Sequence, residues 1–301
     1  HRAMSLASLI RLLALSALWS GSFLFLKIGA SALDPVTLIA LRVSLAAAFL
    51  LAVGMALGKK LHLRRHWRHF LILGFFNSAL PFLLFAIAAK TISASLMSIL
   101  NATAPIWGAA ISALRSRAPL APKPAVGLAL GLGGVAVLTG FDPSTLNEGA
   151  LLAIILALAA PASYGIATTY ARQAESVEPF ANAHGSMWAA TLLMAPLVIF
   201  ESPALIESAA FDPAMVASVL ALGILCTGFA YLLYFRLIAD IGPAPALTVT
   251  FLIPVFGVMW GALVLGEPVS GAMVLGALIV LTGTALVTGF SPRLLWQRRS
   301  A

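Results

Sequence analysis

Apolar residues run along this chain in long unbroken blocks, and the polar positions gather between the blocks instead of alternating within them. A helix needs about 20 residues to cross a hydrocarbon core of roughly 30 Å. Windows of that size fall at 7–29, 35–57, 69–89, 92–114, 124–141, 149–171, 179–200, 214–236, 243–265 and 269–289. The period-two pattern of a barrel strand is absent, so the runs predict helices, which satisfy their own backbone groups inside lipid. The expected fold is an all-α integral membrane protein with ten transmembrane helices.

Charge orients these spans. Lys59, Lys60, Arg64, Arg65 and Arg68 follow the second window, Arg115, Arg117 and Lys123 the fourth, and Arg293, Arg298 and Arg299 the last. The alternate loops carry Asp142 and Glu148, then Glu201, Glu207 and Asp212, then Glu267. An excess of Lys and Arg marks cytoplasmic loops, so both termini are expected in the cytoplasm.

The chain also matches itself. A shift of 149 residues lays Pro105 on Pro254, Gly108 on Gly257, Pro119 on Pro268 and Gly127 on Gly276, and carries Thr139-Gly140-Phe141 onto Thr288-Gly289-Phe290. A shift of 144 lays Gly21 on Gly165 and Asp34-Pro35 on Glu178-Pro179. Two five-helix units follow, residues 5–146 and 147–290, with a basic cytoplasmic tail at 291–301. Five is odd, so the second unit enters the membrane from the opposite side. Such a 5+5 inverted repeat is the geometry of secondary transporters, whose substrate sites lie near the midplane between the halves.

Composition agrees and excludes other classes. The 301 residues are 61% hydrophobic and 9% charged, with mean hydropathy +1.03. The net charge of +8 serves orientation and contact with anionic membrane lipids, and no nucleic-acid partner is expected. One cysteine, Cys226, permits neither a disulfide framework nor a cysteine-rich metal site, and no metal or cofactor is expected. His1, Arg2 and Ala3 precede the first methionine and read as an appended remnant.

The ten windows, the inverted repeat, SALWSGSFLFLKIGA in the first window, the arginine of LIALRVSLAAAFL in the second and the Pro254…Gly261…Leu265-Gly266-Glu267-Pro268 pattern resemble the drug/metabolite transporter superfamily. Among its members the sequence is most similar to the EamA-type exporters, and among those to the aromatic amino-acid exporters. The resemblance implies an exporter of small metabolites in a bacterial inner membrane, with amino acids as substrates, and marks Lys27 and Arg42 as hallmark positions. It leaves a broader drug or nucleotide-sugar carrier as the alternative. A membrane-embedded enzyme would need converging nucleophiles, bases or ligands that the windows do not offer, so no enzyme is expected.

Charges inside a bilayer cost about 2.5–3.5 kcal/mol each on insertion scales, so intramembrane polar groups are the candidates for function. All ten acidic residues fall at window ends or in loops, which leaves no mid-membrane carboxylate to carry a proton. Lys27 is expected to snorkel outward, and Arg42 to reach Asp34 or outer carbonyls. His184, on a stripe with Trp188 and Thr191, is the one group suited to proton coupling.

Three helices carry a polar residue four before a proline: Asn77 and Pro81, Asn101 and Pro105, Thr250 and Pro254. Proline frees the carbonyl four residues back, so Pro81, Pro105 and Pro254 are expected to break helices, and Asn77 and Asn101 to bind the polar end of a substrate. Trp19, Ser20, Ser163, Tyr164, Trp188, Tyr231 and Tyr234 supply aromatic walls and hydroxyls for the other end. Gly127-x-x-x-Gly131 and Gly257-x-x-x-Gly261 permit close helix packing, within the chain or between two copies in a homodimer. Glu267 is expected to cap the helix that begins at Pro268, or to gate the outer mouth.

Overall fold

A computed structural model describes residues 5–140, 149–201, 212–242, 246 and 248–290. The boundary at 146/147, the tail 291–301, and the loop residues Asp142, Glu148 and Glu207 lie outside the described residues. Every element within them is helical: α1 Leu6–Ala32, α2 Pro35–Ala56, α3 Leu63–Ala88, α4 Ala94–Ser116, α5 Pro122–Leu138, α6 Ala150–Ala171, α7 Pro179–Glu201, α8 Pro213–Ile241, α9 Thr248–Leu265 and α10 Gly271–Thr288. Nine of the described helices are long and apolar enough to cross a membrane. α5, at 17 residues, extends about 26 Å.

Local chemistry sets the helix starts. Ser5, Asp34, Ser93, Asp212 and Ser270 each cap a helix by accepting a backbone N–H with the side chain. Pro35, Pro122 and Pro213 occupy the first turn, where the missing N–H costs nothing. α3 begins six residues before its apolar window. Its first turns, LRRHWRHF, form an amphipathic helix that keeps Arg64, Arg65 and Arg68 exposed.

The two halves interlock by a pseudo-two-fold relationship. α5 packs on α10, α4 on α9 and α2 on α7, each helix against its own repeat equivalent, while α1 meets α9 as α6 meets α4, and α3 meets α6 as α8 meets α1. On the seam between α5 and α10, Gly127 lies against the Gly283 carbonyl and Gly134 against the Gly276 carbonyl. The shift of 149 exchanges these two contacts. Rising numbers on α5 meet falling numbers on α10, so equivalent helices run antiparallel, which is the geometry of an inverted repeat. Gly131 lies against Ile106, Gly257 against Ser98 and Gly261 against Ser95 and Glu267, so the glycine stripes pack within the chain.

The prolines act less uniformly than expected. In α3 residues Phe75–Ala79 form a π-helical turn, in which the Leu80 amide bonds to the Phe75 carbonyl. The matching helix α8 has its own π segment at Ala221–Phe229. In the π register Pro81 orphans the Phe76 carbonyl and not that of Asn77, and the Ser163 hydroxyl donates to it at 2.6 Å. α4 does break, but ahead of its proline: Ala94–Asn101 ends at a turn over Ala102 and Thr103, and Pro105 starts the second half, Ala104–Ser116. Thr284 of α10 donates to the Ala102 carbonyl at 2.8 Å, within that turn. α9 is one continuous helix through Pro254, which is buried, so the expected break there is corrected.

Candidate functional site

A cavity of about 430 Å³ lies where the halves meet, a volume within the range of small-molecule sites. α1, α3, α4, α6 and α8 bring Trp19, Asn77, Asn101, Tyr164, Tyr231 and Tyr234 to its wall, and Pro105 and Thr250 join them. The remaining expected residues sit elsewhere. The Ser20 hydroxyl donates to the Ala17 carbonyl, Ser163 serves the π turn, and Pro81, Pro254 and Glu267 lie outside the lining. His184 and Trp188 lie outside the lining, with His184 beside Gly54 of α2. The Trp188 indole N–H donates to His184 Nε2 at 3.0 Å, and the ring packs by Phe180 and Gly54.

The aromatic wall is continuous. Trp19 and Tyr234 lie 5.1 Å apart between ring centroids, Tyr231 stacks on Phe235 at 5.8 Å, and Tyr234 meets Phe235 at 6.1 Å. Asn77 donates to the Tyr231 hydroxyl at 3.5 Å, a long contact that ties α3 to α8.

Arg42 is the residue whose importance the sequence understated. It does not reach Asp34. The residue is 5% exposed and lines the cavity. Nε donates to the Thr227 hydroxyl at 3.0 Å and Nη2 to the Ser22 hydroxyl at 3.2 Å. Cζ sits 3.7 Å from the centre of the Phe82 ring, a cation–π contact worth about 2 kcal/mol or more when desolvated. The Thr227 hydroxyl itself donates to the Leu222 carbonyl at 2.7 Å, across the π segment, which turns its lone pair toward Arg42. No ion pair joins Arg42 to a carboxylate among the described residues, and no Asp or Glu is in the described lining. One signal pointed this way: an arginine inside an apolar window.

Charged side chains cover helix ends at one end of the bundle. Lys27 does not snorkel outward; its ammonium donates to the Ala89 and Ile92 carbonyls at 2.8 and 2.9 Å, at the C-terminal end of α3. Glu267 accepts from the Ala94 and Ser95 amides at 2.7 and 3.0 Å and from the Ser95 hydroxyl at 2.6 Å, at the N-terminus of α4. Glu267 therefore caps α4. α10 starts later and takes Ser270 as its own cap. Opposite charges thus cover opposite helix ends on either side of one turn. Toward the basic end the lining continues through Thr168, Asn182 and Thr250, near the ends of α6, α7 and α9. There Lys59 pairs with Glu178 at 3.2 Å and Arg65 with Glu175, joining the two halves beside the cavity. This is the end that carries the basic loops after α2 and α4.

Comparison with known proteins converges on the same architecture. The model of the EamA-like transporter family matches residues 6–140 and again 151–289, one copy per half. The Bacillus subtilis protein "Uncharacterized transporter YoaV" is 24% identical over 283 residues, covering 93% of this chain and 96% of that protein. An uncharacterized transporter of Archaeoglobus fulgidus is 27% identical over 286 residues, covering 92% and 96%. A solved crystal structure superposes with a TM-score of 0.65 at 21% identity, over 96% of this chain and 98% of that one, which extends the likeness to the fold.

Proposed function

The chain belongs to the EamA-like transporter family, and on that footing we propose that it exports small zwitterionic metabolites, aromatic amino acids foremost, across a bacterial inner membrane by alternating access. The observation that carries this reading is the cavity between the inverted halves, with a guanidinium and two asparagines at its polar end and an aromatic wall beside them. Arg42 takes the substrate carboxylate, as guanidinium geometry favours. Asn77 and Asn101 complete the polar end. Trp19, Tyr164, Tyr231 and Tyr234 hold the side chain, with ring pairs worth about 0.5–1.5 kcal/mol beyond burial.

Export then consists of loading from the cytoplasmic side, closure there, and release of the clamp that Lys27 and Glu267 form at the outer end. No carboxylate in the described lining is placed to exchange a proton against the substrate, which favours facilitated efflux. Counterflow in proteoliposomes with a panel of labelled amino acids tests the reading. Exchange of phenylalanine, tyrosine or tryptophan supports it, and exchange of an organic cation alone would transfer the protein to the drug carriers. A rate that follows an imposed proton gradient would overturn facilitated efflux.

A further inference from the structure

The charge inventory of the cavity goes one step further than amino acids as a class. We propose that the site selects monoanions: a carboxylate on an aromatic or apolar body, with no requirement for an ammonium group. This rests on the transport reading above and specifies the charge of what is carried.

The guanidinium of Arg42 has five N–H donors. Two of them are committed, one from Nε to Thr227 and one from Nη2 to Ser22. Nη1 makes no hydrogen bond among the described residues, and Arg42, 5% exposed as a residue, lines the cavity. A buried cation with three uncommitted donors is seated for a bidentate oxyanion.

A zwitterion needs a matching site for its ammonium, and the described lining holds no anion. Helix breaks were the expected source of free carbonyls, and three carbonyls beside the breaks of α3 and α4 are occupied. Ser163 takes the Phe76 carbonyl, Thr103 the Leu100 carbonyl and Thr284 the Ala102 carbonyl. The described lining offers an ammonium only neutral groups, among them those of Asn77, Asn101, Asn182, Thr250, Ser186 and the tyrosines. The order of preference is therefore anion, then zwitterion, with cations excluded by Arg42.

Charge also supplies direction. A carboxylate neutralises Arg42, so the loaded cavity crosses the membrane uncharged and the empty one returns with its positive charge. Each cycle moves one negative charge outward. A membrane potential negative on the cytoplasmic side favours that movement by about 50-fold in concentration ratio per 100 mV. Efflux of an anion then needs no proton-carrying carboxylate.

The test uses the full chain in proteoliposomes and three probes with one ring: L-phenylalanine, 3-phenyllactate, which has a hydroxyl in place of the ammonium, and phenethylamine, which lacks the carboxylate. Phenyllactate is expected to exchange at least as fast as phenylalanine, phenethylamine at least 10-fold more slowly than either, and a potassium–valinomycin potential, negative on the substrate side, to accelerate phenyllactate efflux. Arg42→Gln is expected to lower phenyllactate exchange at least 10-fold, with Arg42→Lys restoring part of it in protein of equal melting temperature. Exchange of phenylalanine without phenyllactate would overturn the monoanion inference and leave amino-acid export standing. Exchange of none of the three would overturn both.

Discussion

The carboxylate of Glu267, in the turn between α9 and α10, sits on the N-terminus of α4 and receives the amide and the hydroxyl of Ser95 at 3.0 and 2.6 Å. The half-helix it holds, Ala94–Asn101, ends at the residue that lines the cavity. The capping carboxylate of Glu267 and the cavity wall at Asn101 thus meet the two ends of one short helix.

Glu267→Gln keeps the shape and removes the charge. Hydrogen bonds to a charged group are worth about 1.5–3 kcal/mol, so the outward-open population should rise roughly 10- to 100-fold. Cys226 is the single cysteine and lines the cavity. Its alkylation by a membrane-impermeant maleimide applied to the outer face should accelerate accordingly. An unchanged rate would remove Glu267 from the gate.

Ser163→Ala strands the Phe76 carbonyl beside Pro81, at a cost of about 1–3 kcal/mol. The solubilised protein should melt at a lower temperature, and Ser163→Thr, which keeps the hydroxyl, should recover most of the loss.

The seam between α5 and α10 discriminates between neighbouring glycines. A methyl added at Gly127 would stand 2.6 Å from the Gly283 carbonyl oxygen, whereas one at Gly133 meets nothing within 4 Å. Gly127→Ala should destabilise by about 1–3 kcal/mol through overpacking. Gly133→Ala should melt no lower than the parent, since alanine is the better helix former.

Trp19→Ala opens the aromatic wall next to Tyr234. With about 0.5–1.5 kcal/mol at stake per ring pair, apparent affinity for phenylalanine should fall about 2- to 13-fold while that for alanine stays level. An equal loss for both substrates would assign Trp19 to packing.

Hydropathy and the self-match made the helices and the inverted halves readable, because both depend on periodicities carried along the chain. Placement of side chains depended on which face turned inward. Asn77, Asn101, Tyr164 and Tyr231 face the cavity, but Trp188, on an equally plausible stripe, binds His184 against α2. The prolines misled for a local reason: a π turn moved the orphaned carbonyl by one residue, and a serine on another helix satisfied it. Glu267 misled because its partners are more than 170 positions away in sequence, and nothing within its own turn announces them. Arg42 resembled an interfacial arginine until α8 supplied Thr227 and α3 supplied Phe82.

Transport through the cavity is tested most directly by uptake of labelled L-phenylalanine into proteoliposomes preloaded with the unlabelled amino acid, comparing the parent with Asn101→Ala and His184→Ala at matched melting behaviour. Exchange should be present in the parent, at least 10-fold lower in Asn101→Ala, and retained in His184→Ala, whose ring lies outside the lining. Loss in His184→Ala together with a parental rate in Asn101→Ala would contradict the account.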